Sequence, residues 1–304
     1  MNPEEVARKA EVLRRLELAV TRRLDGLLSG DYLGLTAGPG TEPAGARLYG
    51  PGDDARRIDW SLTARALAPH VRTTEADREL ETWIVVDRSA SLDFGTARCE
   101  KRDLALAAVA AFGFLTVRAG NRVGVVIAGA DRIERAGPTH ERTGLLAALS
   151  RVYDTPRQPA GAAVGLAEVL GTLHRARSRR GQVVIASDFL AFDGWDAFAT
   201  IALRHQVVGV HITDPRELDL PRVGMLSVVD PETGRLLHVQ TASRRLRERY
   251  GAAAREHMAS VQRQIRTAGG SYLHLSTDRD WLVDVAHFVG RRSRPAHPAG
   301  SVRR

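Results

Sequence analysis

Apolar positions recur along this chain in two periods. Between residues 4 and 28, Val6, Ala10, Leu13, Leu16, Val20, Leu24 and Leu27 step by threes and fours, as on one face of an amphipathic helix. The intervening positions alternate Arg and Glu, a solvated face. Residues 29–46 are rich in Gly, Pro and Thr and read as an extended loop. From residue 83 short continuous apolar runs take over, the pattern of strands covered on both faces. Such runs predict strands over 83–87, 122–128, 182–187, 206–213 and 272–275, with a short strand over 131–135 paired to the second through Gly129-Ala130. Helices are predicted over 101–118, 140–153, 162–177, 195–204, 243–268 and 281–289. Pro231-Glu232-Thr233-Gly234 joins a hairpin of 227–230 with 236–240. Strands alternating with helices predict an α/β fold: a mostly parallel sheet with helices on both faces.

The first of those strands carries the candidate chemistry. Ile84-Val85-Val86 runs into Asp87-Arg88-Ser89-Ala90-Ser91, at the sheet edge where open α/β folds bind ligands. Asp87, Ser89 and Ser91 can turn three oxygens to one point, a hard donor set suited to Mg²⁺ or Mn²⁺. The plain alternative is a strand end followed by a serine-rich turn. Arg88, between them, points to the opposite side if the strand's alternation continues.

Composition narrows the functional classes. The only cysteine is Cys99, which excludes an intrachain disulfide and a cysteine zinc cluster. The longest apolar run, 123–130, is far short of the ~20 residues that span a bilayer. The acidic start, Met1-Asn2-Pro3-Glu4-Glu5, lacks a secretory apolar region, so no transmembrane segment and a cytoplasmic location are expected. Of the net charge of +8, five units sit in residues 291–304 as Arg291, Arg292, Arg294, Arg303 and Arg304, with no acid beside them. The body is close to balance, and no aromatic-plus-basic module appears, so nucleic acid is not expected as a partner. Lys9 and Lys101 are the only lysines; arginine fills nearly every other cationic position. No Gly-Lys dipeptide occurs, which excludes a phosphate-binding loop of the ATPase type, and no Gly-x-Ser-x-Gly or His-Glu-x-x-His is present.

One further segment is unusually dense in charge. Between Arg47 and Arg72, Pro51-Gly52-Asp53 signals a turn, and Asp53, Asp54 and Asp59 are spaced to pair with Arg56, Arg65 and Arg72. Trp60 in their midst predicts a partly buried structural cluster; the alternative is a solvated turn whose charges contribute little.

Asp-x-Ser-x-Ser after a first strand, with Asp188 ending a later one in Ser187-Asp188-Phe189, resembles the von Willebrand factor A-like fold, where it forms a metal-ion-dependent adhesion site. The resemblance implies Asp87, Ser89, Ser91 and Asp188 as metal ligands and Mg²⁺ or Mn²⁺ as the cation. The threonine such a site takes from an intervening loop should fall near Gly161-Ala162, where no hydroxyl stands, and Thr155 lies several residues upstream. Either water fills that position or the surface binds a partner without metal.

Tyr49, Pro51, Gly52, Asp53, Asp54, Arg56, Asp59, Trp60 and Arg65 resemble the signature of a bacterial domain-of-unknown-function family. Its members carry a von Willebrand A-like domain and are typically encoded beside MoxR-type AAA+ ATPases. Asp214-Pro215-Arg216-Glu217-Leu218 and the 230–234 segment also match, so the likeness spans roughly residues 10–290. It implies a non-enzymatic interaction module working with a MoxR-like AAA+ ATPase on an unidentified client protein, in assembly or chaperone-like remodelling. The alternative is a metal-dependent hydrolase using the same carboxylates. The expected organisation is an N-terminal helix and loop over 1–46, a family-specific segment over 47–80 packed on the main domain, the von Willebrand A-like domain over 81–290, and a disordered basic tail over 291–304.

Overall fold

The computed structural model describes residues 3–24, 46–50, 58–66, 68–72, 80–129, 132–159, 165–175, 180–230 and 233–292. In chain order the strands are β1 (Ala46–Leu48), β2 (His70–Arg72), β3 (Glu81–Asp87), β4 (Arg122–Ala128), β5 (Ile133–Thr139), β6 (Gly181–Ser187), β7 (Gln206–Thr213), β8 (Met225–Val229), β9 (Leu236–Gln240) and β10 (Ser271–Ser276). The α-helices are α1 (Pro3–Leu18), α2 (Trp60–Ala66), α3 (Lys101–Arg118), α4 (Arg142–Asp154), α5 (Leu166–Arg175), α6 (Trp195–Ala202), α7 (Pro215–Leu218), α8 (Arg244–Thr267) and α9 (Trp281–Arg292). A π-helical turn, Ala19–Leu24, continues α1. No helix of the described residues is long and apolar enough to cross a membrane.

The main sheet has the order β10-β7-β6-β3-β4-β5, parallel throughout except for the antiparallel edge strand β5. Strand alternation divides the core into two layers. Ile84 and Val86 of β3 face α3, α4, α9 and the buried Leu13, Val20 and Leu24 of the N-terminal helix. Trp83 and Val85 face the other way, toward α5, α6 and α8. The central helix α3 is buried nearly all round, which its Ala-rich sequence permits. Gly113 lets α4 come close, since a Cβ there would stand 2.6 Å from Leu145 Cδ1.

β3 and β6 are the inner strands, so their carboxyl ends lie side by side at the middle of one sheet edge. There the 83–87 and 182–187 runs deliver Asp87 and Asp188. The α/β class and the sheet anticipated from the apolar runs are both present.

Several details differ. The strand expected over 131–135 runs on to Thr139 through Gly137-Pro138, a pair that reads as a breaker but is tolerated in an edge strand. The short helices α2 and α7 and the antiparallel pair β1–β2 were not anticipated, and α9 runs on through Arg291 and Arg292, which the expected disordered tail included. Trp60 is 70% exposed, so the partial burial expected of it is wrong. It opens α2, and its indole is outside any core.

Asp59 does not need burial to have a role: its Oδ1 accepts the N–H groups of Ser61 and Leu62 at 3.1 Å each and caps α2. Pro51, Gly52, Asp53, Asp54 and Arg56, the loop near Gly161-Ala162, the Gly- and Pro-rich stretch after residue 24 and the tail from 293 lie outside the described residues.

Candidate functional site

The site is built from the turn that follows β3. Asp87 Oδ1 accepts the backbone N–H of Ser89 at 2.8 Å, which folds the chain back over the carboxylate. Its other oxygen accepts the hydroxyl of Ser187, from the end of β6, at 2.6 Å. Ser89 Oγ lies 3.0 Å from Ser91 Oγ, at the start of the short 3-10 turn Ala90–Leu92. Asp87 and Ser89 are partly exposed, whereas Ser91 and Asp188 are buried beneath them. The turn therefore presents carboxylate and hydroxyl oxygens at a mouth, with a second carboxylate behind.

Asp188 is held rigidly. Its Oδ1 accepts the N–H of Leu190 at 3.1 Å, and its Oδ2 accepts the ammonium of Lys101 at 2.8 Å. The next residue, Phe189, has a φ of +53°, alone among the described non-glycine residues in being positive. That conformation costs roughly 1–2 kcal/mol. It is fixed by the bond from Phe189 N–H to Ser187 Oγ at 2.9 Å and by the ring's burial against Phe192, Trp195 and His211. Strain of this kind persists where the surroundings over-determine it.

The two carboxylates titrate in opposite directions. Burial, and then the nearby charge of Asp188, raise Asp87 above the ordinary carboxylate range, against the hydrogen bonds from Ser187 and Ser89. Burial acts the same way on Asp188. There, however, the charge and hydrogen bond of Lys101, with the Ser91 hydroxyl, outweigh it and hold that carboxyl low. Lys101 has no solvent exposure; its ammonium also donates to Glu217, and the two carboxylates raise it above its ordinary value despite burial.

Behind this pair stands a saturated platform. Glu217 Oε2 accepts the N–H of Asp214 at 2.9 Å, and Asp214 Oδ1 accepts the N–H of Arg216 at 2.9 Å, a reciprocal cap on α7. Asp214 also accepts the Thr96 N–H at 2.7 Å, the Thr96 hydroxyl at 2.5 Å and the Thr277 hydroxyl at 2.6 Å. These bonds overcome burial and keep its carboxyl below the usual range.

Asp87, Ser89, Ser91 and Asp188 thus come together as the sequence predicts. Thr155 does not join them: its hydroxyl donates to the Arg151 carbonyl at 3.0 Å. Asp93 is engaged by Arg102 at 2.6 Å, away from the cluster. Tyr49, Asp59, Trp60 and Arg65 of the charged segment are described, and α2 and the turn before it carry the last three. Sequence reasoning missed Lys101, Glu217 and Ser187.

The donor set suits a hard divalent cation. Among the described residues no group of three or more His, Cys, Asp or Glu side chains forms a metal cage. A cation here would rest on Asp87, the two serine hydroxyls and water, an arrangement Mg²⁺ accepts because it keeps several waters. Asp188, with its oxygens already bonded to Leu190 N–H and Lys101, would act from behind through Ser91.

The sheet order, its antiparallel edge and the oxygen cluster at the end of β3 give a von Willebrand factor A-like fold. Solved structures similar to it include the conserved hypothetical protein BatB from Bacteroides thetaiotaomicron, 15% identical, covering 70% of this chain and 98% of that one with a TM-score of 0.46. The VWA domain of SpRpn10 is 11% identical, covering 68% and 93% with a TM-score of 0.37. In sequence the chain is 48% identical over 292 residues to the uncharacterized protein Rv1480 of Mycobacterium tuberculosis, covering 94% of this chain and 90% of that protein. It is 39% identical over 163 residues to the uncharacterized protein MAV169 of Mycobacterium avium, covering 53% of this chain and 94% of that protein. Residues 45–260 match the family model described as protein of unknown function DUF58, and the chain belongs to that family.

Proposed function

We propose that the chain is a protein-interaction module whose oxygen cluster holds Mg²⁺ or Mn²⁺ and receives an acidic side chain from a partner. Asp87, Ser89 and Ser91 are the ligands in this reading, and Asp188 orients them from behind. The partner is a MoxR-like AAA+ ATPase, as the family resemblance implies, and the pair acts on a client protein in assembly or remodelling. The observation that carries the reading is the mouth of the cluster. Asp87 is partly exposed there with two hydroxyls beside it, while Lys101, the one cation bonded within the cluster among the described residues, is committed to Asp188 and Glu217. A divalent cation supplies the positive charge that Asp87 lacks and leaves a coordination position for a carboxylate from outside.

The test is affinity capture from the native host on the tagged full chain, in Mg²⁺ and in chelator, with wild type and Asp87→Asn. The reading predicts an AAA+ ATPase retained by wild type in Mg²⁺ and lost in chelator or with the variant. Absence of any AAA+ ATPase, or retention unchanged by chelator and variant, would overturn it.

A further inference from the structure

Arg88 turns away from the oxygen cluster, as alternation along the chain requires. On its side a cleft of about 560 Å³ opens between the turn after β3, the start of α3 and the end of α4. Four guanidinium groups line it, those of Arg88, Arg98, Arg102 and Arg157, against the two acids Glu100 and Asp103. Some of that charge is already answered. Arg157 forks onto Glu100 at 2.7 and 2.8 Å, and Arg102 binds Asp93 at 2.6 Å. Asp103 accepts the N–H of Glu100 at 3.0 Å in the cap of α3.

Arg88 is answered only at a distance, by the charges of Asp93, Asp103 and Asp87. It is 4% exposed, yet its side chain makes a single long hydrogen bond, 3.4 Å to the Thr155 carbonyl, and no ion pair among the described residues. The same carbonyl takes a better bond from Arg102, at 2.9 Å. Two guanidinium groups therefore converge on one neutral acceptor. A guanidinium carries five N–H donors, and burying one with a single long hydrogen bond is costly. Arg98 stands exposed at the cleft wall, also without a carboxylate among the described residues.

We propose that this cleft binds a phosphomonoester dianion carried on a small molecule, with Arg88 at its floor and Arg102 and Arg98 beside it. A dianion answers both converging cations at once, and its oxygens match the guanidinium fork. The volume lies within the range of small-ligand sites, with room beyond one phosphate, and Tyr153 and Leu106 give the remainder an apolar wall. This site is separate from the oxygen cluster and needs no metal.

The test is calorimetric titration of the full chain with inorganic phosphate and with adenosine monophosphate, at constant ionic strength and in chelator. Saturable binding of the nucleotide, tighter than that of phosphate, is expected. Saturable binding of both with equal affinity would assign free phosphate as the source of the same chemistry. Arg88→Met should weaken binding by about tenfold or more, the worth of a charge-assisted hydrogen bond, and Arg98→Gln by about threefold. If circular dichroism shows Arg88→Met unfolded, the exposed Arg98→Gln decides. No saturable binding by either ligand, or wild-type affinity in every folded variant, would overturn the proposal.

Discussion

The turn from Asp87 to Ser91 faces two regions of opposite need. On one side lie Asp87, Asp188 and Glu217 with Lys101 as their cation; on the other lie Arg88, Arg98, Arg102 and Arg157 with too few acids. Asp87 is raised from its ordinary value and Arg88 is lowered, each because burial and a like charge disfavour its ionised form. The Asp214 platform behind them shows the contrast, since every bond it accepts comes from a fixed neighbour and its carboxyl is held low. Strand alternation turns these two neighbours in sequence to opposite sides.

The acidic side is most vulnerable at Lys101. Lys101→Met leaves the buried Asp188 and the half-buried Glu217 without their cation, and should cost about 3–5 kcal/mol in urea denaturation. Asp214→Ala attacks the satisfied platform and should cost about 2–3 kcal/mol by the same measurement, through the lost cap and the stranded Thr96 and Thr277 donors.

The two under-compensated residues should behave in the opposite way. Asp87→Asn and Arg88→Met should each stabilise the protein by about 1 kcal/mol in chelator without phosphate, because each removes a charge that folding disfavours. Loss of stability in either variant would mean that its charge is already answered.

A pH series sharpens this further. Asp87 holds its proton more tightly folded than unfolded, so wild type should gain on Asp87→Asn as pH falls through the folded value of that group. Asp188 has the other sign: its contribution is present above the unfolded carboxylate value and lost as pH falls through its depressed folded one. The difference between wild type and Asp188→Asn should therefore shrink toward acid.

Much of this was legible beforehand, and the reasons are local. A strand buried on both faces writes an unbroken apolar run, which placed Asp87 and Asp188 at one sheet edge, and a period of two placed Arg88 opposite. Lys101 and Glu217 were not legible because their contacts join positions 87 and 116 residues apart, and no period links them. The α7 cap, by contrast, is written in Asp214-Pro215-Arg216-Glu217 as a reciprocal capping box, but four residues are too few to show a helical apolar period beside it. Trp60 misled for a physical reason. An indole among charges can stand in water at modest cost, so its presence does not imply burial.

The central claim is that Asp87, Ser89 and Ser91 hold a divalent cation. Titrating Mg²⁺, and separately Mn²⁺, into the full chain by calorimetry, with wild type and Asp87→Asn, tests it most directly. Saturable single-site binding to wild type that disappears in a variant which remains folded is expected. Wild type that binds neither ion, or a variant that binds as well as wild type, would contradict it.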